Sequence, residues 1–353
     1  MIVERPPAFR AVRPGAGQRP LWQRALTRPS LPALAALVVV VAFFASQAPE
    51  LLTWAGIAGV LDIAAVLGIG GVAVALLMIA GQYDFSIGVQ AVATSLVTAL
   101  LIGDAGWGVW PALLVSLAAG LAVGLVNGLL VVTTGVHSFL VTLGTFLVLQ
   151  GASLVGAQEV ADTARQGSSL SDASGWASAA RVFDTTKQVG IGRLHSSLLW
   201  WLALTALASW ALWRTRFGNA VFASGGARRA ARELGVRVGP TTVGLFCVTA
   251  AAGWLMGTFA LVQTGTVQEN PSALGTSLDL IVVAVIGGCL LTGGFGSAFG
   301  AAVGALLYAV ARQGIILAGW DPRWFQTMLG VLLLVALLAN GIVRRRLKAV
   351  PRS

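Results

Sequence analysis

Charged residues are scarce in this chain. Asp, Glu, Lys and Arg together make up 10% of its 353 residues, whereas they make up about 25% of a soluble domain. Hydrophobic residues reach 57%, and their runs are long and continuous, which excludes a transmembrane β-barrel with its alternating strands. A helix satisfies its own backbone hydrogen bonds in hydrocarbon. The composition therefore predicts an all-α polytopic membrane protein.

Lysine occurs twice, and neither lysine belongs to a nucleotide-binding loop. A Walker A loop needs Lys followed directly by Ser or Thr, but Lys187 precedes Gln188 and Lys348 precedes Ala349. The sequence therefore excludes a P-loop. If ATP drives this protein, the ATPase must be a separate polypeptide.

Histidine and cysteine also occur twice each. His137 and His195 lie at predicted membrane edges, and neither has a metal-ligand partner at helical spacing. Cys247 and Cys289 lie inside apolar runs and are expected to be small buried hydrophobes. The sequence predicts neither a metal centre nor a catalytic site, which disfavours an intramembrane enzyme.

The basic residues indicate topology rather than a nucleic-acid partner. The net charge is +10, and the excess is concentrated in an N-terminal tail (1–30), an internal loop (214–240) and a C-terminal tail (344–353). In those segments the acidic residues are Glu4 and Glu233. The positive-inside rule places all three segments in the cytoplasm. Charges balance over residues 157–196, which predicts an extracytoplasmic loop.

Ten apolar runs predict ten membrane spans within one transmembrane domain, residues 31–343. A helix needs about 20 residues to cross the bilayer, and an even number of spans keeps both termini in the cytoplasm. The eighth run has about 14 residues, which predicts a short or re-entrant helix. The predicted spans are 31–47, 54 to a break at 81–86, that break to 102, 110–132, 139–156, 198–213, 241–262, 278–291, 298–318 and 325–342.

The polar stretch 216–242 interrupts the spans and carries a helix signature. The glycine pair at 225–226 is expected to break the chain, and 227–234 is a run of good helix formers. Gly235 stands where a helix C′ glycine belongs, and Pro240 is expected to stop any continuation. A helix of two turns is marginal alone in water. Held between two spans, it is predicted to dock on another protein.

This stretch resembles the coupling loop of bacterial ATP-binding-cassette (ABC) importer permeases. The shared pattern is AAxxxG, formed by Ala230, Ala231 and Gly235. More narrowly, RFG…A.GG..AAR..G is similar to the permeases that import ribose, xylose and related monosaccharides. Arg228 and Arg229 depart from that family, which commonly has acidic residues before AAR.

Five further motifs occur in the order of that family, so the resemblance spans about residues 55–340. Gln82 and Ser277 are departures, because the family has a glycine and an acidic residue there. The N-terminal tail and the loop 157–196 match less clearly. The motifs are GQYDFSIG at 81–88 (similar to GGIDLSVG), NGLL at 127–130, FLVTLGT at 139–145, SLDLIVVAVIGG at 277–288 (similar to ELDAIAAVVIGG) and GGFGS at 293–297.

The resemblance implies the inner-membrane permease of an ATP-driven importer for a monosaccharide. The partners it implies are a separate ABC ATPase that binds the ATP, an extracytoplasmic sugar-binding protein, a second permease copy (identical or different) and membrane lipid. No cofactor and no nucleic acid are expected for this chain. The coupling-loop residues are Gly225, Gly226, Arg228, Arg229, Ala230, Ala231, Glu233 and Gly235, and the substrate-pathway candidates are Asp84, Ser86, Asn127 and Asp279.

Ionisable residues at membrane depth keep a second function open. Asp62, Asp84, Asp279 and Arg312 each cost about 2.5–3.5 kcal/mol to insert, so each needs a partner or a water-filled cavity. An ion-coupled secondary transporter could use one of these carboxylates as a proton or sodium relay, without an ATPase. Asp84 fits a pathway and a helix-end cap equally well. Asp279 is expected to cap the start of the eighth span, where the helix dipole favours a carboxylate.

Overall fold

The computed structural model describes residues 30–165, 169–189, 192–267 and 273–348. Thirteen α-helices and one β-hairpin lie within these residues. The helices are α1 Leu31–Gln47, α2 Trp54–Ile79, α3 Ile87–Gly103, α4 Val109–Thr134, α5 Ser138–Arg165, α6 Trp176–Phe183, α7 Ser197–Arg214, α8 Arg216–Gly226, α9 Arg228–Glu233, α10 Val238–Thr264, α11 Ala273–Ile286, α12 Ala298–Leu317 and α13 Trp324–Lys348, and the strands are β1 Thr186–Val189 and β2 Gly192–His195.

Each of the ten predicted spans coincides with one helix, namely α1 to α5, α7 and α10 to α13. By length and composition, α2, α4, α5, α10 and α12 are able to cross a membrane, and α1, α3, α11 and the first part of α13 are shorter apolar helices. The chain is a polytopic membrane protein. The count of ten spans and the cytoplasmic termini stay predictions.

The eighth predicted span is short, as the sequence indicated. Helix α11 has 14 residues, which gives about 21 Å at 1.5 Å per residue, whereas the hydrocarbon core is about 30 Å thick. The helix begins at Ala273 rather than at 278. The chain turns at Gly288, whose φ is +95°.

Helices α2, α10 and α12 form the centre of the bundle. The buried share of their most apolar windows is 72%, 67% and 72%, against 17% for α5. Glycines allow the backbones to approach closely. A Cβ on Gly124 of α4 would lie 2.6 Å from the carbonyl oxygen of Phe246 in α10, and a Cβ on Gly304 of α12 would overlap the carbonyl oxygen of Val283 in α11.

The connecting segments meet at two ends of the bundle. At one end, the rings of Tyr83 and His137 stack with centroids 6.4 Å apart, and the Tyr83 hydroxyl donates to the carbonyl oxygen of Leu291. At the other end, the amide of Val109 donates to the carbonyl oxygen of Ser174 at 3.0 Å. This sorting agrees with the predicted alternation of loops, while the side of the membrane stays a prediction.

The predicted loop 157–196 contains secondary structure of its own, which corrects the sequence-based description. Helix α5 continues to Arg165, a 3-10 turn covers Leu170–Asp172, and α6 follows. Strands β1 and β2 pair antiparallel with Thr186 opposite His195. The fold is all-α as predicted, with one short hairpin added in this loop. Helix α6 packs inward, because Phe183 is buried against the ring of Phe259 in α10, with centroids 5.7 Å apart.

The coupling segment, residues 215–237, contains two helices where the sequence predicted one. Helix α8 runs from Arg216 through the glycine pair to Gly226. The Thr215 hydroxyl caps its start by accepting a hydrogen bond from the amide of Gly218 at 3.3 Å. The chain does break after Gly226. The second helix, α9, then has six residues instead of the eight predicted at 227–234.

Gly235 ends α9 as predicted. Its φ is +80°, the amide of Val236 donates to the carbonyl oxygen of Ala231, and the amide of Gly235 donates to that of Arg232, both at 3.0 Å. This pair of bonds is a Schellman motif. Pro240 was predicted to stop any continuation of this helix, but α9 already ends at Glu233. Pro240 is instead the third residue of α10, where its missing N–H is not needed.

The predicted terminal segments are described only in part. Residues 1–29 and 349–353 lie outside the described residues. Helix α13 extends through Lys348, so the first half of the predicted basic tail 344–353 continues the last helix.

Candidate functional site

The break after α2 is built around Asp84. The chain turns at Gly81, with φ +74°, and resumes as α3 at Ile87. The Asp84 side chain is completely buried. Its Oδ1 accepts hydrogen bonds from the amide of Ser86 at 2.8 Å and from the Ser86 hydroxyl at 2.6 Å. Its Oδ2 accepts one from the Thr249 hydroxyl of α10 at 2.6 Å.

Asn127 joins this group from α4. Its Nδ2 donates to the Ser86 hydroxyl at 3.1 Å, and its Oδ1 accepts from the Thr145 hydroxyl of α5 at 2.6 Å. Three of the four predicted pathway residues, Asp84, Ser86 and Asn127, therefore belong to one buried network. The network ties the break segment to α4, α5 and α10.

The network holds these helices together, and both oxygens of the Asp84 carboxylate are engaged within it. The bond from Asp84 to the amide two residues ahead is an Asx turn, and every partner of the carboxylate described above is neutral. A buried carboxylate is tolerated when hydrogen bonds satisfy it. Between the two roles left open for Asp84, the geometry favours the cap at the helix break.

Sequence reasoning missed Thr249 and Gln90. Gln90 of α3 donates from Nε2 to the Ser86 hydroxyl at 3.4 Å. Its Oε1 is buried and has no hydrogen-bond partner. A threonine or glutamine in an apolar helix carries no signal of its own, because its partner lies on another helix. Thr145 could have been identified from the sequence, since it is the last residue of the FLVTLGT motif.

Asp279 lies apart from this network. It is the seventh residue of α11, so the prediction that it caps the start of the eighth span is wrong. The sequence placed that start at 278, beside Asp279, because the polar residues before it masked the first turns. The hydroxyl of Tyr308 in α12 donates to Asp279 Oδ2 at 2.8 Å.

The coupling segment contacts the turn between α2 and α3 and the turn between α11 and α12, at a junction of glycines. A Cβ on Gly225 would overlap the carbonyl oxygen of Ile79, which ends α2, and would lie 2.6 Å from the amide of Gly294. A Cβ on Gly293 would lie 2.8 Å from the Cα of Gly81. We call Gly81, Gly225, Gly293 and Gly294 the glycine junction. Through it, the end of α8 lies directly against the turns that follow α2 and α11.

Helix α9 presents a mixed outer face. Ala231 is buried, whereas Ala230 is exposed and Leu234 keeps 84% of its surface exposed. Arg229 and Glu233 form an exposed ion pair, with Nε and Oε1 3.4 Å apart. Such a pair contributes little to stability.

Arg228 lies half-buried at the start of α9, and its Nε has no hydrogen-bond partner. Burial, and the positive charge of Arg232, lower the pKa of the Arg228 guanidinium. In the part of the chain that the structure describes, no cluster of three His, Cys, Asp or Glu side chains could hold a metal ion.

The chain matches known proteins over most of its length. The family model described as branched-chain amino acid transport system / permease component matches residues 56–337. The galactose/methyl galactoside import permease protein MglC of Escherichia coli K12 is 28% identical over 327 residues, which cover 88% of this chain and 94% of that protein. The probable ABC transporter permease protein y4mJ of Sinorhizobium fredii is 30% identical over 325 residues, 92% of each chain. The ribose import permease protein RbsC of Escherichia coli K12 is 27% identical over 311 residues, which cover 87% of this chain and 92% of that protein. No solved structure matches this chain.

Proposed function

Since this chain belongs to the family of permease components described as branched-chain amino acid transport system, we propose that it is the membrane permease of an ATP-driven importer for a monosaccharide. The family is broader than one substrate. Two relatives that cover most of this chain are named as import permeases for galactose/methyl galactoside and for ribose. The six sequence motifs that resemble monosaccharide permeases support the same substrate class.

The observation that carries the proposal is the contact of the coupling segment with the turns that follow α2 and α11. A force applied to α8 and α9 by a partner reaches the ends of α2 and α11 through the glycine junction, without an intervening flexible side chain. The breaks separate α2 from α3 and α11 from α12, so their movement changes how four helices pack. The chain supplies this lever, and a separate ATPase supplies the energy.

We infer that the ATPase contacts the outer face of α9. Leu234 supplies an apolar anchor, and Arg229 and Arg232 supply positive charge around it. The ATPase surface that fits is an apolar recess with acidic residues at its rim. Because this chain has basic residues where the family has acidic ones, its ATPase should differ from the family's at that rim.

We infer further that a second permease copy, identical or different, packs against α5. Gly144 and Gly151 are seven residues apart on α5, and apart from α5's own backbone no described atom lies within 4 Å of the position a Cβ would take on either. Leu147 and Val148 between them are exposed. Small residues on a bare membrane helix allow close helix–helix approach. A sugar-binding protein on the extracytoplasmic side, and lipid around the bundle, complete the expected assembly.

The ion-coupled alternative has no support from the relatives, which are permeases of import systems. The arrangement of the carboxylates also argues against a relay. Asp62 pairs with His195, with Oδ2 and Nδ1 2.9 Å apart, Asp84 is enclosed in its own network, and Asp279 bonds Tyr308. A proton relay needs connected groups along one path, and these three carboxylates have separate partners.

The test is reconstitution of the importer. The chain should co-purify with one ATPase, and a sugar-loaded binding protein should raise the rate of ATP hydrolysis by that complex in lipid vesicles. Galactose, ribose and fructose are the sugars to supply first. Uptake that proceeds without any ATPase, driven by a proton or sodium gradient, would contradict the proposal.

A further inference from the structure

A polar cavity lies between α11, α12 and α13, away from the Asp84 network. Its volume is about 260 Å³, slightly below the roughly 300–1,000 Å³ typical of small-molecule sites. Asp279, Tyr308, Arg312 and Gln326 supply its polar wall, and Phe325 supplies part of its apolar wall. Three helices thus bring four hydrogen-bonding side chains to one small space that opens at the surface of the bundle, with Tyr308 buried, Asp279 partly buried, and Arg312 and Gln326 exposed.

Asp279 and Tyr308 hold each other in place, and the polar side chains of this cavity retain hydrogen-bonding capacity. Tyr308 donates to one oxygen of Asp279, and its ring packs edge-on against Phe325, with centroids 4.9 Å apart and planes at 78°. A carboxylate has about four acceptor sites and a guanidinium five N–H donors, so one bond leaves most of them available. Arg312 lies close enough to act electrostatically on Asp279 and on Tyr308.

The charges of the cavity disfavour a ligand with a net charge; an uncharged polyol and a zwitterion both fit an acid–arginine pair, and the proposed function selects the polyol. Asp279 and Arg312 are opposite in sign, and the other polar lining groups, Tyr308 and Gln326, carry no charge. An anion would meet Asp279, and a cation would meet Arg312. A compound with several hydroxyl groups satisfies both, because each hydroxyl donates to the carboxylate or accepts from the guanidinium.

We propose that the cavity bounded by Asp279, Tyr308, Arg312 and Gln326 binds a monosaccharide within the permease. The proposal rests on the proposed function for the class of sugar and adds a place in this chain where the sugar is held. The cavity lies where α12 ends and α13 begins, near Pro322. With the termini in the cytoplasm, this end of the bundle is the extracytoplasmic one, where a binding protein releases its sugar.

The alternative is that Asp279 and Arg312 only neutralise each other. A double variant, Asp279→Asn with Arg312→Gln, separates the two roles, because it removes both charges, keeps the net charge and leaves a polar side chain at each position. If the pair only compensates charge, this variant behaves as the wild type. If the pair binds hydroxyl groups, the variant remains folded and loses sugar binding.

The experiment is a titration of the permease–ATPase complex in lipid nanodiscs, without the binding protein. D-galactose, D-ribose and D-fructose are the probes, and saturation-transfer NMR is the readout. We expect saturable binding of at least one sugar in the millimolar range, weakened at least tenfold in the double variant. Tyr308→Phe should weaken it less, since it removes only the hydroxyl that orients Asp279. Arg323→Gln is the matched control, because Arg323 follows the cavity-lining Pro322 but does not itself line the cavity. The Arg323 side chain is exposed and pairs with Asp321, with Nε and Oδ1 3.9 Å apart.

Two results would overturn the proposal. The first is a wild-type complex that shows no saturable binding at sugar concentrations up to about 100 times the expected millimolar dissociation constant. The second is a folded double variant that binds the sugar as the wild type does. Both results leave the proposed function intact, provided that the sugar-loaded binding protein still raises ATP hydrolysis. Loss of that stimulation in the wild-type complex would instead count against the proposed function.

Discussion

The amide of Gly294 donates a 2.8 Å hydrogen bond to the carbonyl oxygen of Ile79. These residues are 215 positions apart, and the bond joins the turn after α11 to the last residue of α2. Gly225 of the coupling segment lies against both groups. The three segments therefore form one rigid contact, in which a change at any member displaces backbone rather than a side chain.

The first prediction compares two adjacent glycines. Gly225→Ala should uncouple the importer, because its Cβ would overlap the carbonyl oxygen of Ile79, at an overpacking cost of about 1–3 kcal/mol. Gly226→Ala is the control, since apart from its chain neighbours and its own helix backbone no described atom lies within 4 Å of its Cβ position. Sugar-stimulated ATP hydrolysis by the purified complex should fall at least fivefold in the first variant and stay near the wild-type rate in the second. Equal rates in the two variants would show that the junction transmits nothing.

The second prediction concerns the exposed anchor on α9. Leu234→Asp should weaken association with the ATPase at least tenfold, because burial of a leucine contributes about 1.5–3 kcal/mol and each 1.4 kcal/mol changes affinity about tenfold. Leu234→Met keeps an apolar side chain of similar size and should bind normally. The measurements are the yield of ATPase that co-purifies with the permease and the affinity of the ATPase for permease immobilised on a biosensor surface. An ATPase that binds the Asp variant as tightly as the wild type would place its contact elsewhere.

The local features of this surface could be predicted from the sequence, but its contacts with distant parts of the chain could not. Gly235 was predictable because a helix C′ glycine follows from local backbone geometry. That Ala231 faces inward while Leu234 faces outward was not predictable, because six residues of helix show no reliable periodicity. The contact of Gly225 with Ile79 is non-local, and a single sequence gives no sign of it.

The same distinction applies inside the membrane. The break at GQYDFSIG was visible because polar residues and glycines interrupt an apolar run. The bonds from Thr249 to Asp84 and from Thr145 to Asn127 join helices distant in sequence, so pattern alone could not pair them. Helix α11 was placed too late in the chain, since Thr276 and Ser277 masked its first turns.

The third prediction tests the topology. In a chain with Cys247→Ser and Cys289→Ala, Asp172→Cys should react with an impermeant thiol reagent in intact cells. Arg229→Cys should react only after the cells are opened, although the Arg229 side chain is 95% exposed. Both sites are accessible in the fold, so a difference in labelling reports the side of the membrane. The reverse pattern would overturn the cytoplasmic placement of the coupling segment.

The last prediction separates an ATP-driven permease from an ion-coupled transporter at Asp84. Asp84→Asn should fold and transport at a reduced rate, without dependence on a proton or sodium gradient. An Asn oxygen still accepts from the amide and hydroxyl of Ser86, and the Thr249 hydroxyl can accept from the Asn amide while it donates to Phe246, whose carbonyl oxygen lies at 3.0 Å. The cost is the loss of charge assistance, about 1–2 kcal/mol.

Asp84→Leu provides the contrast, because it leaves the amide and the hydroxyl of Ser86 without the acceptor they have in the wild type, each at a cost of about 1–3 kcal/mol, and should abolish assembly or uptake. The measurement is sugar uptake by vesicles that contain the complex, with ATP inside, the binding protein outside and no ion gradient. Uncouplers should leave uptake by the wild type and the Asn variant unchanged. A carboxylate that relays protons cannot be replaced by an amide, which neither binds nor releases a proton at neutral pH. Uptake that requires the gradient, and that disappears completely in the Asn variant, would therefore identify Asp84 as a relay and return the ion-coupled mechanism to first place.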